Sequence, residues 1–225
     1  MKTKKTHEVT NMVLLVYGAG GLGREIVDLA QCINRDKRRW NEICFIVDAE
    51  FIKEKRVYDC EALSFEEALE CQQNEEAECI IAVGEPASRQ KMYDKCKKAG
   101  FRTAKLVAPS AFVSEAADIG EGVIISHYVV ILAQCRISNN VMLQPMCVIG
   151  HDIVIGANSV IGPHVLPGGG CVIGENVFIG MGATIREQVK IGPNSIISMG
   201  AVVYNDIPDG MIVLGNPARP MRRNE

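Results

Sequence analysis

The fold of this chain is decided by the stretch VIGHDIVIGANSVIGPHVLPGGGCVIG, residues 148–174. An aliphatic residue followed by glycine recurs in it at six-residue intervals, at 149, 155, 161 and 173. Extended in both directions, the same step runs from Ile119 to Val203, and fourteen of its fifteen positions are aliphatic, with Pro167 as the exception. Glycine occupies the next position in eight of the steps, where a sharp turn would need it.

An unbroken period of six predicts a parallel β-helix, in which each strand stacks on a neighbour and no single coil buries its own face. Three hexapeptides form one coil of such a helix, so fifteen predict about five coils and a prism about 24 Å long. The alternative, an ordinary all-β domain with accidental spacing, is disfavoured by fourteen matches in one register. Three cysteines occupy inward positions and are predicted to be packing residues: Cys135, Cys147 and Cys171.

The chain before Pro109 alternates short apolar runs with helix-like stretches. Strands are predicted at Met12–Tyr17, Ile43–Val47, Cys79–Val83 and Thr103–Val107. Helices are predicted at Arg24–Ile33, at Phe65–Cys71 and from Pro86 to Gly100. This order predicts a parallel sheet of about four strands. The predicted organisation is a polar tail (1–11), a small Rossmann-like parallel α/β domain (12–108), a β-helix domain (109–210) and a C-terminal extension (211–225).

Composition excludes some classes of partner and compartment. The formal net charge of -3 gives no global electrostatic reason to expect nucleic acid or an anionic membrane. The cysteines number nine and form no Cys-x-x-Cys pair, which favours reduced thiols in a cytoplasmic protein. The apolar run Met12–Tyr17 is too short for a signal segment or a membrane span.

The second motif is Gly18-Ala19-Gly20-Gly21-Leu22-Gly23, a G-x-G-x-x-G sequence between the first predicted strand and helix. Glycines there let the backbone approach a phosphate group at the helix N-terminus. Asp48, at the end of the second predicted strand, could accept hydrogen bonds from a ribose or a base. A domain of about 95 residues is too small for a full dinucleotide-binding sheet, which favours a mononucleotide or nucleotide sugar over NAD. Glycines that only allow a tight turn remain the simpler alternative.

Three histidines fall in the ladder at positions that point away from its interior: His127, His151 and His164. Asp152 follows His151, whose neighbours at the 18-residue coil repeat are Ala133 and Gly169. Small neighbours leave room for a substrate beside an imidazole, so we interpret His151 as functional and the other two as structural. A zinc site of all three is disfavoured, and no metal is expected, because spacings of 24 and 13 do not place them on one repeated edge.

Together these features resemble the bacterial nucleotide-sugar and sialic-acid acyltransferase family, whose members join a small Rossmann-like domain to a left-handed β-helix. The resemblance is closest to the UDP-4-amino-sugar N-acetyltransferases of bacillosamine-type glycan synthesis, and it spans Val13 to Arg219. It rests on five stretches: Val16 to Gly23, Ala82 to Gly84 with Arg89, Leu106 to Ala111, Ile149 to Asp152, and Gly215 to Arg219.

The resemblance implies a role for each candidate site residue. His151 is the implied general base, and Asp152 is the acid that orients it. The nucleotide part of the acceptor is held by five residues: Gly20, Gly21, Leu22, Asp48 and Gly84. Acetyl-CoA, the acyl donor, lies in the groove between neighbouring subunits of a homotrimer, against backbone near Met181 and Met199.

The chain departs from the family pattern at two positions. Many relatives have a second histidine nine residues after the catalytic one, and this chain has Val160 there. The first residue of the paired Asp-Asp that follows the second strand is Val47 here. The first departure bears on the pose of acetyl-CoA and the second on the choice of nucleotide.

The predicted function is acetyl-CoA-dependent N-acetylation of the 4-amino group of a UDP-linked amino-deoxy sugar. A thioester is already activated, so the protein has mainly to align it with the amine and remove a proton. Two alternatives remain open. One is O-acetylation of a sugar hydroxyl, such as that of a sialic acid, and the other is a non-catalytic β-helix protein that senses a nucleotide.

Overall fold

The computed structural model of the protein describes residues 12–52, 54–74 and 76–224. The predicted polar tail, residues 1–11, therefore lies outside the described residues. An α/β unit comes first and ends at Thr103, and a β-helix begins at Leu106. No helix in the described ranges combines the length and the apolar character that crossing a lipid bilayer requires.

The α/β unit is a six-stranded sheet with helices on both faces. Its strands are β1 (Met12–Tyr17), β2 (Glu42–Ile46), β3 (Arg56–Val57), β4 (Cys60–Leu63), β5 (Glu76–Ile81) and β6 (Arg102–Thr103). Its helices are α1 (Gly21–Asp36), α2 (Phe65–Asn74) and α3 (Pro86–Lys98). The strand order is β3-β4-β2-β1-β5-β6, and only β3 and β4 pair antiparallel. Helix α1 packs on one face of the sheet, and α2 and α3 pack on the other.

The sheet has more strands than the four predicted from the sequence. The hairpin of β3 and β4 was missed because its turn residues, Tyr58 and Asp59, both take positive φ angles without the usual Asn-Gly signal. The predicted strand Thr103–Val107 is also wrong as a single element, since it divides between two sheets. Arg102–Thr103 completes the α/β sheet, whereas Leu106–Val107 pairs with Ile124–Ile125 of the β-helix.

The β-helix is a three-sided prism. One side, which we call the docked face, is formed by the strands Leu106–Val107, Ile124–Ile125, Met142–Leu143, Val160–Ile161, Phe178–Ile179, Ile196–Ile197, Met211–Leu214 and Arg219–Arg223. The apolar face is formed by Phe112–Val113, Val130–Ile131, Val148–Ile149, Leu166–Pro167, Thr184–Ile185 and Val202–Val203. The polar face is formed by Asp118–Ile119, Arg136–Ile137, Val154–Ile155, Val172–Ile173 and Lys190–Ile191.

The turns between these faces stack into three edges. The first edge joins the docked face to the apolar face through turns that include residues 126–128, 144–146, 162–164, 180–182 and 198–200. The second edge joins the apolar face to the polar face through 132–134, 150–152, 168–170 and 186–188. The third edge, from 138–140 to 192–194, returns to the docked face. The second edge therefore lies on the side of the prism opposite the docked face.

The prism interior is the ladder that the six-residue step predicted. Its inward aliphatic residues form one continuous buried cluster, and Cys135, Cys147 and Cys171 are fully buried within it. The ladder of the apolar face is interrupted at Pro167, which divides that face into two three-stranded sheets. Proline has no N–H to donate, so one ladder hydrogen bond is lost there.

Both predicted limits of the β-helix domain need correction. The prism starts before residue 109, because Leu106 and Val107 already pair with residues 18 positions later. It also continues beyond residue 210, because Met211–Leu214 pairs with Ile196–Ile197 and is closed by the antiparallel strand Arg219–Arg223. The predicted C-terminal extension is thus the last rung of the docked face.

The α/β unit packs on the docked face through a shared apolar core. Leu14 and Val16 of β1 and Ile26 of α1 belong to the same buried cluster as Met142 and Val160 of the prism. Val160, at the position where many relatives carry a second histidine, is 1% exposed and is a packing residue here. It therefore does not line the second edge.

Candidate active site

His151 and Asp152 form an exposed pair in a turn of the second edge. His151 Nδ1 lies 2.6 Å from Asp152 Oδ2. The backbone of the turn is held in the stack, because Asp152 N–H donates to Ala133 and Gly170 N–H donates to the His151 carbonyl. Since the carboxylate engages Nδ1, a neutral ring carries its proton there and leaves the Nε2 lone pair free to accept a proton.

The imidazole of His151 occupies the space that a side chain at position 169 would need. A Cβ atom added to Gly169 would lie 2.7 Å from both Cε1 and Nε2 of His151. The Gly169 backbone itself does not require glycine, since its φ angle is not positive. The small neighbour predicted one coil away is therefore required by the histidine ring.

The glycines of the loop between β1 and α1 have two different tasks. A Cβ on Gly23 would lie 2.0 Å from the Gly18 carbonyl oxygen, so this glycine allows the helix to pack closely on the loop. Gly20, in contrast, has open space around its Cα and serves as the N-cap of α1 without a side-chain cap. The first turn of α1 contains no acidic residue. Its free N–H groups and helix dipole therefore suit an anion.

A cavity of about 450 Å³ opens beside this loop. It is lined by Ala19, Gly20, Val47, Phe51, Ile52, Glu54, Val57 and Ala62. Sequence reasoning identified Gly20 and the substitution at Val47 but missed the apolar wall of Phe51, Ile52 and Val57. Apolar residues in an irregular segment carry no signal that separates a ligand wall from ordinary packing.

Asp48 is not among the residues that line the cavity beside the glycine loop. The Tyr17 hydroxyl donates to its carboxylate at 2.6 Å, and Lys95 Nζ forms an ion pair with it at 2.9 Å. Partial burial raises the pKa of Asp48, but the hydrogen bonds from Tyr17 and Lys95 outweigh burial and hold the pKa below its ordinary value. Asp48 lines a second cavity, beside α3, together with Tyr17 and Lys95. Its contact with a nucleotide stays a prediction.

A buried arginine supports the loop that contains Gly84. Arg89 is fully buried, and burial lowers its pKa to about 9. Its Nη1 donates to the carbonyls of Ile81 and Val83, and its Nε donates to the Asn140 carbonyl of the prism at 2.7 Å. A trans peptide points its C=O and N–H in opposite directions, so the bond to Val83 turns the Gly84 N–H away from Arg89.

Met181 and Met199 stand on the first edge, one coil apart. They are 57% and 73% exposed and form an apolar strip on this edge. The apolar face separates them from His151. His127 also lies on the first edge, with Nδ1 3.0 Å from Ser110 Oγ. The three histidines of the ladder do not come together as a group of potential metal ligands in the described ranges.

Comparison with known proteins assigns these features to a family. Residues 13–96 match the PglD N-terminal domain, and residues 134–166 and 170–205 match the bacterial transferase hexapeptide repeats. The acetyltransferase domain of PglB from Neisseria gonorrhoeae, solved with acetyl coenzyme A, is 31% identical over 94% of this chain and 100% of that chain, with a TM-score of 0.86. The chain belongs to the bacterial nucleotide-sugar and sialic-acid acyltransferase family.

Further structures share the architecture of this family. A variant of perosamine N-acetyltransferase from Caulobacter crescentus, solved with CoA and GDP-perosamine, is 27% identical over 93% of this chain and 96% of that chain, with a TM-score of 0.84. WeeI from Acinetobacter baumannii shares the fold at 24% identity over 93% and 100%, also with a TM-score of 0.84. The predicted family, the left-handed β-helix and the acyltransferase class are confirmed. Membership in this family argues against the non-catalytic alternative.

Proposed function

We propose that this acyltransferase moves the acetyl group of acetyl-CoA to the 4-amino group of a UDP-linked amino-deoxy sugar, with His151 as general base. The observation that carries the proposal is the exposed His151–Asp152 pair, whose Nε2 is left free above Gly169. Two relatives support the classes of donor and acceptor, acetyl-CoA and a nucleotide sugar. One binds acetyl coenzyme A, and the other binds CoA and GDP-perosamine.

The proposed reaction forms a C–N bond and breaks a C–S bond. The amine nitrogen attacks the thioester carbonyl carbon, and Nε2 of His151 takes the proton that the nitrogen loses. Collapse of the tetrahedral intermediate expels the CoA thiolate, which takes the proton from His151 Nε2 and leaves as the free thiol, so the imidazole is neutral again. Asp152 stabilises the imidazolium through its 2.6 Å contact with Nδ1. The activated thioester makes a covalent acyl-enzyme unnecessary.

We assign the donor to the first edge, along Met181 and Met199. With coils about 4.8 Å apart, Met181 lies about 8 Å and Met199 about 13 Å beyond His151 along the prism axis. An extended pantetheine arm fits such a span. Within one chain the first and second edges are on opposite sides of the apolar face, so donor and base would meet between neighbouring copies.

The apolar face is the surface that a neighbouring copy would cover. Phe112, Val148 and Leu166 on it are all exposed in the single chain. A closed ring of three copies would place the first edge of each prism beside the second edge of the next. We therefore propose that the active enzyme is a homotrimer.

We assign the acceptor nucleotide to the glycine loop and the cavity beside it. The free N–H groups of Gly21 and Leu22 at the start of α1 suit the diphosphate. The Gly84 N–H, which Arg89 turns outward, is a further donor. The apolar wall that contains Val47 and Phe51 suits the flat face of a base. We assign this base as a pyrimidine, the base of a UDP-linked sugar.

The deciding experiment offers the enzyme acetyl-CoA with a panel of acceptors and follows the product by mass. The panel contains UDP- and GDP-linked 4-amino sugars, the matching 4-hydroxy sugars and a free sialic acid. We expect a gain of one acetyl group on the UDP-linked amino sugar alone. Preferential acetylation of a hydroxyl, or of the GDP-linked sugar, would overturn the acceptor assignment.

The role of His151 is tested in parallel. We expect His151→Ala to lose at least about 10²-fold in kcat, the usual contribution of a general base, while keeping its thermal unfolding temperature. Lys190→Ala is the matched control, because Lys190 is exposed on the polar face, away from the first and second edges. CoA thiol release at the wild-type rate from the His151→Ala enzyme would sink the proposal.

A further inference from the structure

A cavity of about 240 Å³ lies between α1 and the first edge of the prism. It is separate from the His151 turn and from the cavity beside the glycine loop. Ile26, Leu29 and Met142 provide buried apolar groups at its floor. Its polar groups are the carboxylates of Glu25 and Asp28 on α1, and Ser126 and the imidazole of His127 on the first edge.

The polar groups of this cavity are held in place by neighbours. Ser110 Oγ lies 3.0 Å from His127 Nδ1, and the backbone of His127 is fixed by the Met146 N–H, which donates to its carbonyl. Because Nδ1 is engaged, Nε2 is the ring atom that a ligand can use, and nothing in the described part of the chain bonds to it. The Tyr58 hydroxyl donates to Asp28 at 2.9 Å and fixes that carboxylate.

We propose that this cavity binds the amino-sugar ring of the acceptor, an inference that rests on the proposed function. A pyranose ring presents a C–H face, which suits the apolar floor, and hydroxyl and amino groups, which suit carboxylate and imidazole partners. The two carboxylates also exclude the alternative that the cavity holds phosphate, since like charges repel. The N-terminus of α1 would thus bind the nucleotide, and Glu25 and Asp28 of the same helix would bind the sugar.

The spacing along α1 fits this division. Gly21 starts the helix, and Glu25 and Asp28 follow it by four and seven residues. At 1.5 Å per residue these are axial distances of about 6 Å and 10 Å. A diphosphate bound at the N-terminus of α1 therefore has its attached sugar within reach of the cavity.

The height of the cavity on the prism fits the position of the base. His127 precedes His151 by 24 residues, which is one and one third coils, or about 6 Å along the prism axis. The donor residues Met181 and Met199 lie on the other side of the His151 level. Between two neighbouring copies the order along the axis would be acceptor sugar, base and thioester.

The test separates the sugar from the nucleotide by binding. Calorimetry gives the Kd of UDP and of the UDP-amino-sugar for the wild type and for four variants: His127→Ala, Ser110→Ala, Glu25→Gln and the control Lys190→Ala, on the exposed polar face. We expect His127→Ala and Glu25→Gln to weaken the UDP-amino-sugar about tenfold each, one hydrogen bond's worth, and to leave the Kd of UDP unchanged. Ser110→Ala should have a smaller effect of the same kind, and Lys190→Ala none.

Two results would overturn the inference. One is an unchanged Kd of the UDP-amino-sugar in both His127→Ala and Glu25→Gln. The other is an equal loss of affinity for UDP and UDP-amino-sugar. That result would mean that these residues support the structure of the α/β unit and do not bind the sugar ring. If either result is found but the wild-type enzyme acetylates the UDP-amino-sugar, the proposed function still stands. A wild type that neither binds nor acetylates any nucleotide sugar overturns both.

Discussion

At the scale of single residues, the structure shows why small residues flank the candidate base. The six-residue ladder puts a turn residue of each coil directly beside that of the next coil. A ring at His151 therefore lies over position 169, and only glycine leaves the ring where it is. The requirement comes from the side chain above and not from the local backbone.

Gly169→Ala tests this packing. The added Cβ would lie 2.7 Å from Cε1 and Nε2, and the exposed ring would rotate away at little cost in stability. A base displaced by about 1 Å costs on the order of 10² in rate, so we expect a large fall in kcat at an unchanged unfolding temperature. Ala133→Gly, on the other side of the ring, only adds space and should keep the wild-type kcat. A wild-type kcat in Gly169→Ala would show that catalysis does not depend on the position of the His151 ring.

At the scale of elements, Arg89 ties three segments together. It lies on α3, donates to two carbonyls at the end of β5 and reaches the Asn140 carbonyl of the third edge. One of its nitrogens, Nη2, has no partner in the described ranges. The side chain is thus a buried charge balanced by carbonyl dipoles alone, which costs free energy but fixes the loop before Gly84.

Removal of this arginine is expected to affect stability and acceptor binding together. Arg89→Met leaves two buried carbonyls and one partly buried carbonyl without this donor, so we expect a loss of about 3 kcal/mol in the free energy of unfolding, measured by urea titration. Surviving folded enzyme should show a higher KM for the acceptor and an unchanged KM for acetyl-CoA. Lys91→Met, at an exposed position of the same helix, is the control. A stable variant with an unchanged acceptor KM would contradict the assigned role.

The contact between β2 and α3 gives a pH-dependent prediction. The pKa of Asp48 is lowered in the folded state, so its ion pair with Lys95 stabilises the protein above the unfolded pKa near 4 and loses this effect as pH falls through the lower folded pKa. The pair is partly exposed, which limits its contribution to about 1 kcal/mol or less. Asp48→Asn should therefore be slightly less stable than wild type at pH 7, and the difference should disappear once the pH falls below the lowered folded pKa of Asp48. Asp94→Asn, in the same cavity, should show no such difference.

The sequence predicts the secondary-structure elements, but it does not predict contacts between residues that lie far apart along the chain. The ladder from Ile119 to Val203 is visible because each coil repeats the same local requirement, and the small neighbours of His151 follow from the same period. The side of the sheet that Asp48 faces depends on Tyr17 and Lys95, far apart along the chain, and no local pattern encodes it. The hairpin at Tyr58 is similarly hidden, because its turn uses residues without a turn signature.

At the scale of the whole molecule, the docking of the α/β unit decides which surfaces remain for chemistry. That unit covers one face of the prism, and His151 stands on the edge opposite to it. The glycine loop and the base of one chain are therefore on different sides of the prism. If the glycine loop and His151 take part in one reaction, a complete site combines the glycine loop of one copy with His151 of another.

Mixing two inactive variants tests this arrangement. Gly20→Asp places an anionic side chain in the open space of the glycine loop, and His151→Ala removes the base, so each variant alone is expected to be inactive. Unfolding and refolding an equal mixture would produce oligomers that contain both variants. If each site combines two copies, about one quarter of the sites pair an intact loop with an intact histidine, and activity returns to about that share. Sites contained within one chain would stay inactive in every mixture, because each chain carries one defect. Refolded wild type gives the reference activity, and a mixture no more active than its two components would contradict the shared site.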